Sequence, residues 1–253
     1  MELLVENLCK SYGKKEALKT VSFSLSPGLY GLLGPNGSGK STLMNILTGN
    51  ITASSGTVKW NGQDVKISNK AYRSILGYVP QHQALYPEFT AERFLAYIST
   101  LQGMGKKNPN ERINYVLDRV GLAEVRRKKI KTFSGGMKQR LLIAQSLLDE
   151  PELLIMDEPT ANLDPKQRVL VRELFSQISQ ERIIIIATHI VSDVEPIASE
   201  FLLLRNGALI RKGHKEELIA DLDSSVAEGD NTLTMEDVYL HYFGGQYNEA
   251  DLL

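Results

Sequence analysis

Nine consecutive residues, Gly34-Pro35-Asn36-Gly37-Ser38-Gly39-Lys40-Ser41-Thr42, restrict what this chain can fold into more than any other stretch. They fit the pattern G-x-x-x-x-G-K-[ST], and their flanks fit as well. Tyr30-Gly31-Leu32-Leu33 reads as a short buried strand, and Leu43, Met44, Ile46 and Leu47 carry the apolar spacing of a helix ended by Gly49. Glycines without a Cβ let successive backbone N–H groups curl around anionic oxygens. A helix that begins there aims its free N–H groups and the positive end of its dipole at the same anion. The order strand–loop–helix therefore predicts a nucleotide phosphate site, with Lys40 reaching the β- and γ-phosphates and the Ser41 hydroxyl on Mg²⁺. Taken alone, the stretch is also compatible with a Gly-rich turn ahead of a surface helix.

A second constellation lies downstream. Leu153-Leu154-Ile155-Met156-Asp157-Glu158 is an apolar strand ending in two carboxylates. In a parallel α/β sheet, ligands sit outside the carboxyl ends of the strands, so both acids arrive where the phosphates are. Asp157 suits a Mg²⁺ contact, and Glu158 then lies beside the γ-phosphate, able to polarise an attacking water.

The rest of the chain supplies a frame for these two motifs. Leu3 to Leu8 and Val21 to Leu25 alternate as strands, with a turn expected over Lys10 to Lys15. Thr57 to Trp60 is another strand, followed by the hairpin turn Asn61-Gly62, and Ile75 to Val79 is a further one. From about Gln83 to Leu148 the pattern becomes helical. Thr90 caps a helix to about Gln102; Asn108-Pro109 opens a second, with Ile113, Val116, Leu117 and Val120 on one face; a third runs from Gly136 to Leu148. Leu153 to Met156 and Ile183 to Ala187 read as central parallel strands, Pro165 opens the helix between them, and Phe201 to Lys212 closes as a hairpin through Asn206-Gly207.

Composition excludes a few classes. With 42% hydrophobic and 23% charged residues and a net charge of −1, the chain reads as an ordinary globular protein with no electrostatic case for a nucleic acid partner. The only cysteine, Cys9, allows no internal disulfide and no cysteine-based metal site, and points to a reducing compartment. The longest wholly aliphatic run, Ile183 to Ala187, is far short of a membrane span, and no signal peptide is visible at Met1 to Leu8. From His214 to Leu253 there are ten Asp/Glu against one Lys, an acidic tail.

Between the two motifs lies Phe133-Ser134-Gly135-Gly136-Met137, opening the third helix. With it, the chain to about Leu218 resembles the nucleotide-binding subunit of ATP-binding cassette (ABC) transporters. In that family a Leu-Ser-Gly-Gly-Gln signature at a helix start binds the γ-phosphate of ATP held by the opposite subunit. Here Phe133 and Met137 replace the outer residues, while Ser134, Gly135 and Gly136 are intact. The resemblance assigns Tyr12 to adenine stacking, although a lone Tyr in a turn also serves as packing. It assigns Gln81 to the junction of the helical subdomain, near Mg²⁺ and the water; Ala161-Asn162-Leu163-Asp164 to contact with the partner subunit, Asp164 being the recognisable residue; and His189 to the γ-phosphate.

What this resemblance implies is a P-loop NTPase of the α/β class with a RecA-like core, an N-terminal antiparallel β subdomain and an inserted α-helical subdomain. The expected division is a cassette at 1–218, with an insertion at about 83–148, and an acidic extension at 219–253. The implied activity is hydrolysis of ATP with Mg²⁺ in a head-to-tail pair of cassettes that powers separate transmembrane permease subunits. The chain would then be cytoplasmic, held peripherally on the inner face of the cell membrane. Thr234-Met235-Glu236-Asp237-Val238-Tyr239-Leu240 is similar to the ending found in ABC-2-type exporters, which favours export. A soluble non-transport cassette ATPase of the iron–sulfur assembly type is the alternative. The basic run Arg126 to Lys129 with Lys131 reads as a solvated loop or as a contact for anionic lipid or a partner.

Overall fold

The computed structural model describes residues 1–65, 70–81, 85–103, 109–222 and 233–244. Gln83 and Asn108, the expected starts of the helical insertion and of its second helix, lie outside the described residues.

The N-terminal half opens with an antiparallel hairpin of β1 (Leu3–Tyr12) and β2 (Lys15–Leu25). The pairing runs from Leu3 opposite Leu25 to Tyr12 opposite Lys15, so the turn is only Gly13 and Lys14, much tighter than the expected Lys10 to Lys15. The strands outrun the alternation because the register shifts at three places between Val5 and Ser11, and each shift breaks the period-two pattern from which strands are read. Next come β3 (Gly28–Leu33), α1 (Lys40–Leu47), β4 (Ser55–Trp60) and β5 (Gln63–Asp64). Asn61 and Gly62 both have positive φ, 49° and 77°, as a two-residue type I′ hairpin turn demands. All of these strands except β3 form a four-stranded sheet in the order β2-β1-β4-β5.

The second sheet is built from the remaining strands. In order follow α2 (Lys70–Ser74), β6 (Leu76–Val79), α3 (Ala91–Leu101), α4 (Pro109–Arg119), α5 (Gly135–Ser146), β7 (Leu153–Asp157), α6 (Pro165–Ile178), β8 (Ile183–Ala187), α7 (Val191–Val194), β9 (Glu200–Arg205), β10 (Ala208–Gly213), α8 (Lys215–Ala220) and α9 (Met235–Phe243). The sheet order is β10-β9-β3-β8-β7-β6, parallel except for the antiparallel edge strand β10. Successive residues of the central strands face opposite sides. Leu153, Ile155, Ile183 and Ile185 pack with α1 and the antiparallel sheet; Leu154, Met156, Ile184 and Ile186 pack with the helices on the other face. That double burial is why β7 and β8 read as continuous apolar runs.

In the helical region Thr90 caps α3, its side chain accepting from the Arg93 N–H. Helices α4 and α5 satisfy each other's C-terminal carbonyls through arginines. Arg112 of α4 donates to the Leu147 and Leu148 carbonyls at 2.5 and 3.0 Å; Arg140 of α5 donates to those of Val120 and Gly121 at 2.7 and 3.0 Å. Each places a cation at the negative end of a helix dipole and fills acceptors the helix cannot fill itself. The basic run is latched rather than loose: Arg126 pairs with Glu92 at 2.7 Å, and Lys129 and Lys131 both meet Glu88 at 2.9 Å.

At the C-terminus, the division expected at residue 218 falls inside α8. Leu218, Leu222, Met235, Val238 and Phe243 are all buried in the large core shared with α3 to α7. Glu195, just beyond α7, accepts from the Met235 N–H at 3.2 Å and pairs with Lys215 at 2.8 Å, holding the start of α9 against α8. Among the described residues no helix is long and apolar enough to cross a membrane.

Candidate active site

The site is assembled at the carboxyl ends of β3, β7 and β8. Gly34 leaves β3 with its Cα facing the backbone of β9: a Cβ there would stand 2.2 Å from the Leu204 carbonyl. Gly39, φ 110°, turns the chain into α1, and a Cβ on it would meet the Ala17 carbonyl at 2.7 Å. The loop between them is braced from outside by the β9–β10 turn. Gly207 donates its N–H to the Ser38 carbonyl at 2.8 Å and accepts from the Lys19 N–H at 2.7 Å. Ser38 is buried, and its hydroxyl lacks a hydrogen-bond partner among the described residues.

A cleft of about 490 Å³ opens over this loop. Tyr12, Asn36, Gly37, Gly39, Lys40, Ser41, Thr42, Gln81, Asp157 and Glu158 line it, so most of the residues expected to meet nucleotide or Mg²⁺ are brought together. Gly34, Pro35 and Ser38 form the loop's base instead. Lys40 Nζ donates to the Gly34 and Pro35 carbonyls at 2.5 and 3.1 Å. Burial pushes its ammonium below the ordinary lysine value, and Glu158 and Asp157 pull the other way. Tyr12 is half exposed, with Lys10 Nζ 5.1 Å from its ring centroid, so one aromatic face already carries a cation.

Glu158 is buried and held by three donors. Thr188 Oγ donates to Oε2 at 2.9 Å; the His189 backbone N–H reaches Oε1 at 3.0 Å, and His189 Nδ1 lies 2.7 Å from the same oxygen. The Glu158 backbone makes this possible. With φ 50° it leaves the strand in the left-handed region, its N–H still bonded to the Ala187 carbonyl, and swings the carboxylate onto the end of β8. The Thr188 hydroxyl accepts from the Ile190 N–H at 3.0 Å, which leaves its proton for Glu158.

Beyond the loop's base and His189, which touches Glu158 without lining the cleft, four of the expected residues stand outside it. Ser134 is the N-cap of α5, its side chain accepting from the Met137 N–H at 3.2 Å, which starts the helix at Gly135 rather than at the expected Gly136. Gly135 lines a second cleft of about 590 Å³ with Gln81, Asn162 and Gln139, and Gly136 packs against Gln167. Asp164 caps α6, accepting from the Gln167 N–H at 2.9 Å. Conversely, Lys15, Lys19, Asn206 and Gly207 line the first cleft without having been singled out. Asn206-Gly207 was legible as a turn, but its seat against the phosphate loop comes from sheet order, which the sequence does not display.

A glycine loop opening a helix behind a central strand, with a lysine and two strand-end carboxylates over it, defines a class: the nucleotide-hydrolysing α/β proteins of the phosphate-loop type. A family model described as ABC transporter matches residues 18–161, more than half of the chain. The chain is 39% identical over 222 residues to the linearmycin resistance ATP-binding protein LnrL of Bacillus subtilis (strain 168), spanning 87% of this chain and 71% of that protein. It is 35% identical over 218 residues to the Nod factor export ATP-binding protein I of Rhizobium etli, spanning 85% and 69%. Among solved structures it is similar to an ATP-binding subunit of an ABC transporter, with a TM-score of 0.83 and 26% identity over 95% of this chain and 99% of that one. The chain belongs to the ABC transporter family, as an ATP-binding protein that hydrolyses ATP.

Proposed function

We propose that this chain is the ATPase of an exporter whose membrane-spanning permease subunits are separate chains. Two relatives support this reading, since one is named for linearmycin resistance and the other for Nod factor export. The observation that carries the mechanism is the split of the expected residues between a phosphate-loop cleft and an exposed helix start elsewhere on the same chain. Ser134 and Gly135 are solvent-exposed, as are Asn162 and Asp164, and none of them lines the chain's own phosphate cleft. A second cassette, placed head to tail, completes each site by bringing the N-terminal N–H groups of its α5 to the γ-phosphate. The adenine stacks on Tyr12, the phosphates lie in the loop from Gly34 to Thr42, and Lys40 turns from the loop carbonyls to the β- and γ-oxygens.

Within that site, Glu158 accepts a proton from the water that attacks the γ-phosphorus; the bond to the β–γ bridging oxygen breaks, giving ADP and phosphate. His189 holds the carboxylate through Nδ1, which leaves Nε2 to face the phosphate. Donation from Nε2 then needs the doubly protonated ring, because Nδ1–H is committed to Glu158. Ser41, Gln81 and Asp157 offer a hydroxyl, an amide and one carboxylate in the same cleft, an oxygen set suited to Mg²⁺. Bound there, the cation would neutralise charge on the β- and γ-oxygens. Gln81 also lines the second cleft, so closure at the nucleotide reaches the groove beside Tyr86, where a permease segment docks.

The test is affinity purification of the tagged chain from detergent-solubilised native membranes, with partners identified by mass spectrometry. A multi-span membrane protein in near-equal amount is the expected result. Soluble partners alone, with the chain absent from the membrane fraction, would replace the transport reading by a non-transport cassette ATPase of the iron–sulfur assembly type.

A further inference from the structure

Asp193 is a buried carboxylate that the scheme above does not use. It lies in α7, four residues after His189, and is 4% exposed. Its Oδ2 accepts from the Thr160 hydroxyl at 2.6 Å, and its Oδ1 meets Arg168 Nη1 at 3.3 Å. Arg168 also donates from Nε to the Leu163 carbonyl at 3.1 Å. Thr160 is itself buried and sits two residues after Glu158. The loop from Glu158 to Asp164 is therefore fastened at three points. The Glu158 side chain is bound by Thr188 and His189, the Thr160 hydroxyl by Asp193, and the Leu163 carbonyl by the arginine that Asp193 also engages.

Stability alone is a weak reason to keep this carboxylate. Removing a carboxylate from water is costly, and a buried ion pair usually returns little net stability over a well-packed apolar residue. A short hydrogen-bonded link does impose geometry, however. We propose that Asp193 is a positioning residue: through Thr160 it fixes the loop carrying Glu158 relative to the segment carrying His189. The exposed residues Ala161, Asn162 and Asp164 belong to the same loop. A second cassette pressing on them moves Thr160, and with it Asp193 and His189, so that arrival of the partner and alignment of the catalytic pair become one event.

This inference rests on Glu158 being the catalytic carboxylate, so Glu158→Gln is assayed beside the other variants of the full chain. Phosphate release under saturating ATP and Mg²⁺ gives kcat, calorimetry with ATP gives Kd, and thermal unfolding gives Tm. Thr160→Val deletes the hydroxyl at constant shape, and Asp193→Asn deletes the charge. Each is expected to lower kcat by about tenfold, as sub-ångström misplacement does, with ATP Kd held within about twofold. The double variant falls no further than the worse single one, because both changes act on the same link. Thr160→Ser, which keeps the hydroxyl, restores turnover. Wild-type kcat in Thr160→Val, equal losses in the Val and Ser variants, or fully additive losses in the double variant would each overturn the proposal. If Asp193→Asn does not fold, the Val and Ser variants decide by themselves. Retained turnover in Glu158→Gln sinks the catalytic reading; an inactive Glu158→Gln with a normal Thr160→Val sinks only the positioning role.

Discussion

Lys40 shows what single residues contribute to this site. Its ammonium is half-buried, bonded to the Gly34 and Pro35 carbonyls, and held below its usual pKa by desolvation. Triphosphate oxygens would offer it a stronger partner than two neutral carbonyls, because hydrogen bonds between charged groups are worth roughly 1.5–3 kcal/mol. Lys40→Met is therefore expected to weaken ATP binding by about 10- to 100-fold in calorimetry while the fold persists. An unchanged Kd would remove Lys40 from the phosphate contact. The residues of this loop were legible because their chemistry is local: glycines, lysine and hydroxyls at fixed offsets along nine positions. Thr188 was not legible as a partner of Glu158, because the contact spans 30 residues and depends on β7 lying beside β8. The same holds for Thr160 and Asp193, separated by 33 positions.

At the level of elements, helices whose starts are marked locally were read almost to the residue, as Thr90 at α3 and Pro165 at α6 illustrate. The β1–β2 hairpin was read too short because its bulges and the positive φ values at Asn7 and Thr20 scramble the alternation. The C-terminal region is the instructive element. Its acidity marked it as an extension of the cassette; within it α9 turns Met235, Val238 and Phe243 into the core and leaves Leu240 outside. Charge on the exposed face had masked a short apolar one. Phe243→Ala is expected to cost roughly 3 kcal/mol by chemical denaturation, the usual toll of truncating a buried phenylalanine. ATP affinity stays at the wild-type value, since Phe243 is not part of the nucleotide cleft. A loss below about 0.5 kcal/mol would mean that α9 does not dock as described.

On the scale of the whole molecule, the fold separates two groups of residues that the proposed function joins in one site. Parallel strands bring the phosphate loop, Asp157, Glu158 and His189 to one edge of the sheet, while the helical region carries Ser134 and Gly135 to another surface. On the proposed reading, turnover by one chain depends on a second, with ATP as the bridge between them. Glu158→Gln keeps the nucleotide site and removes the proposed base, so on that reading the bridge persists once formed. The most direct measurement is the mass of the Glu158→Gln chain in solution by light scattering, with and without ATP and Mg²⁺. One chain mass, 28.2 kDa, is expected without nucleotide and twice that mass with ATP, the increase being abolished by Gly135→Asp. A single chain mass in saturating ATP, from protein that calorimetry shows to be nucleotide-loaded, would contradict it.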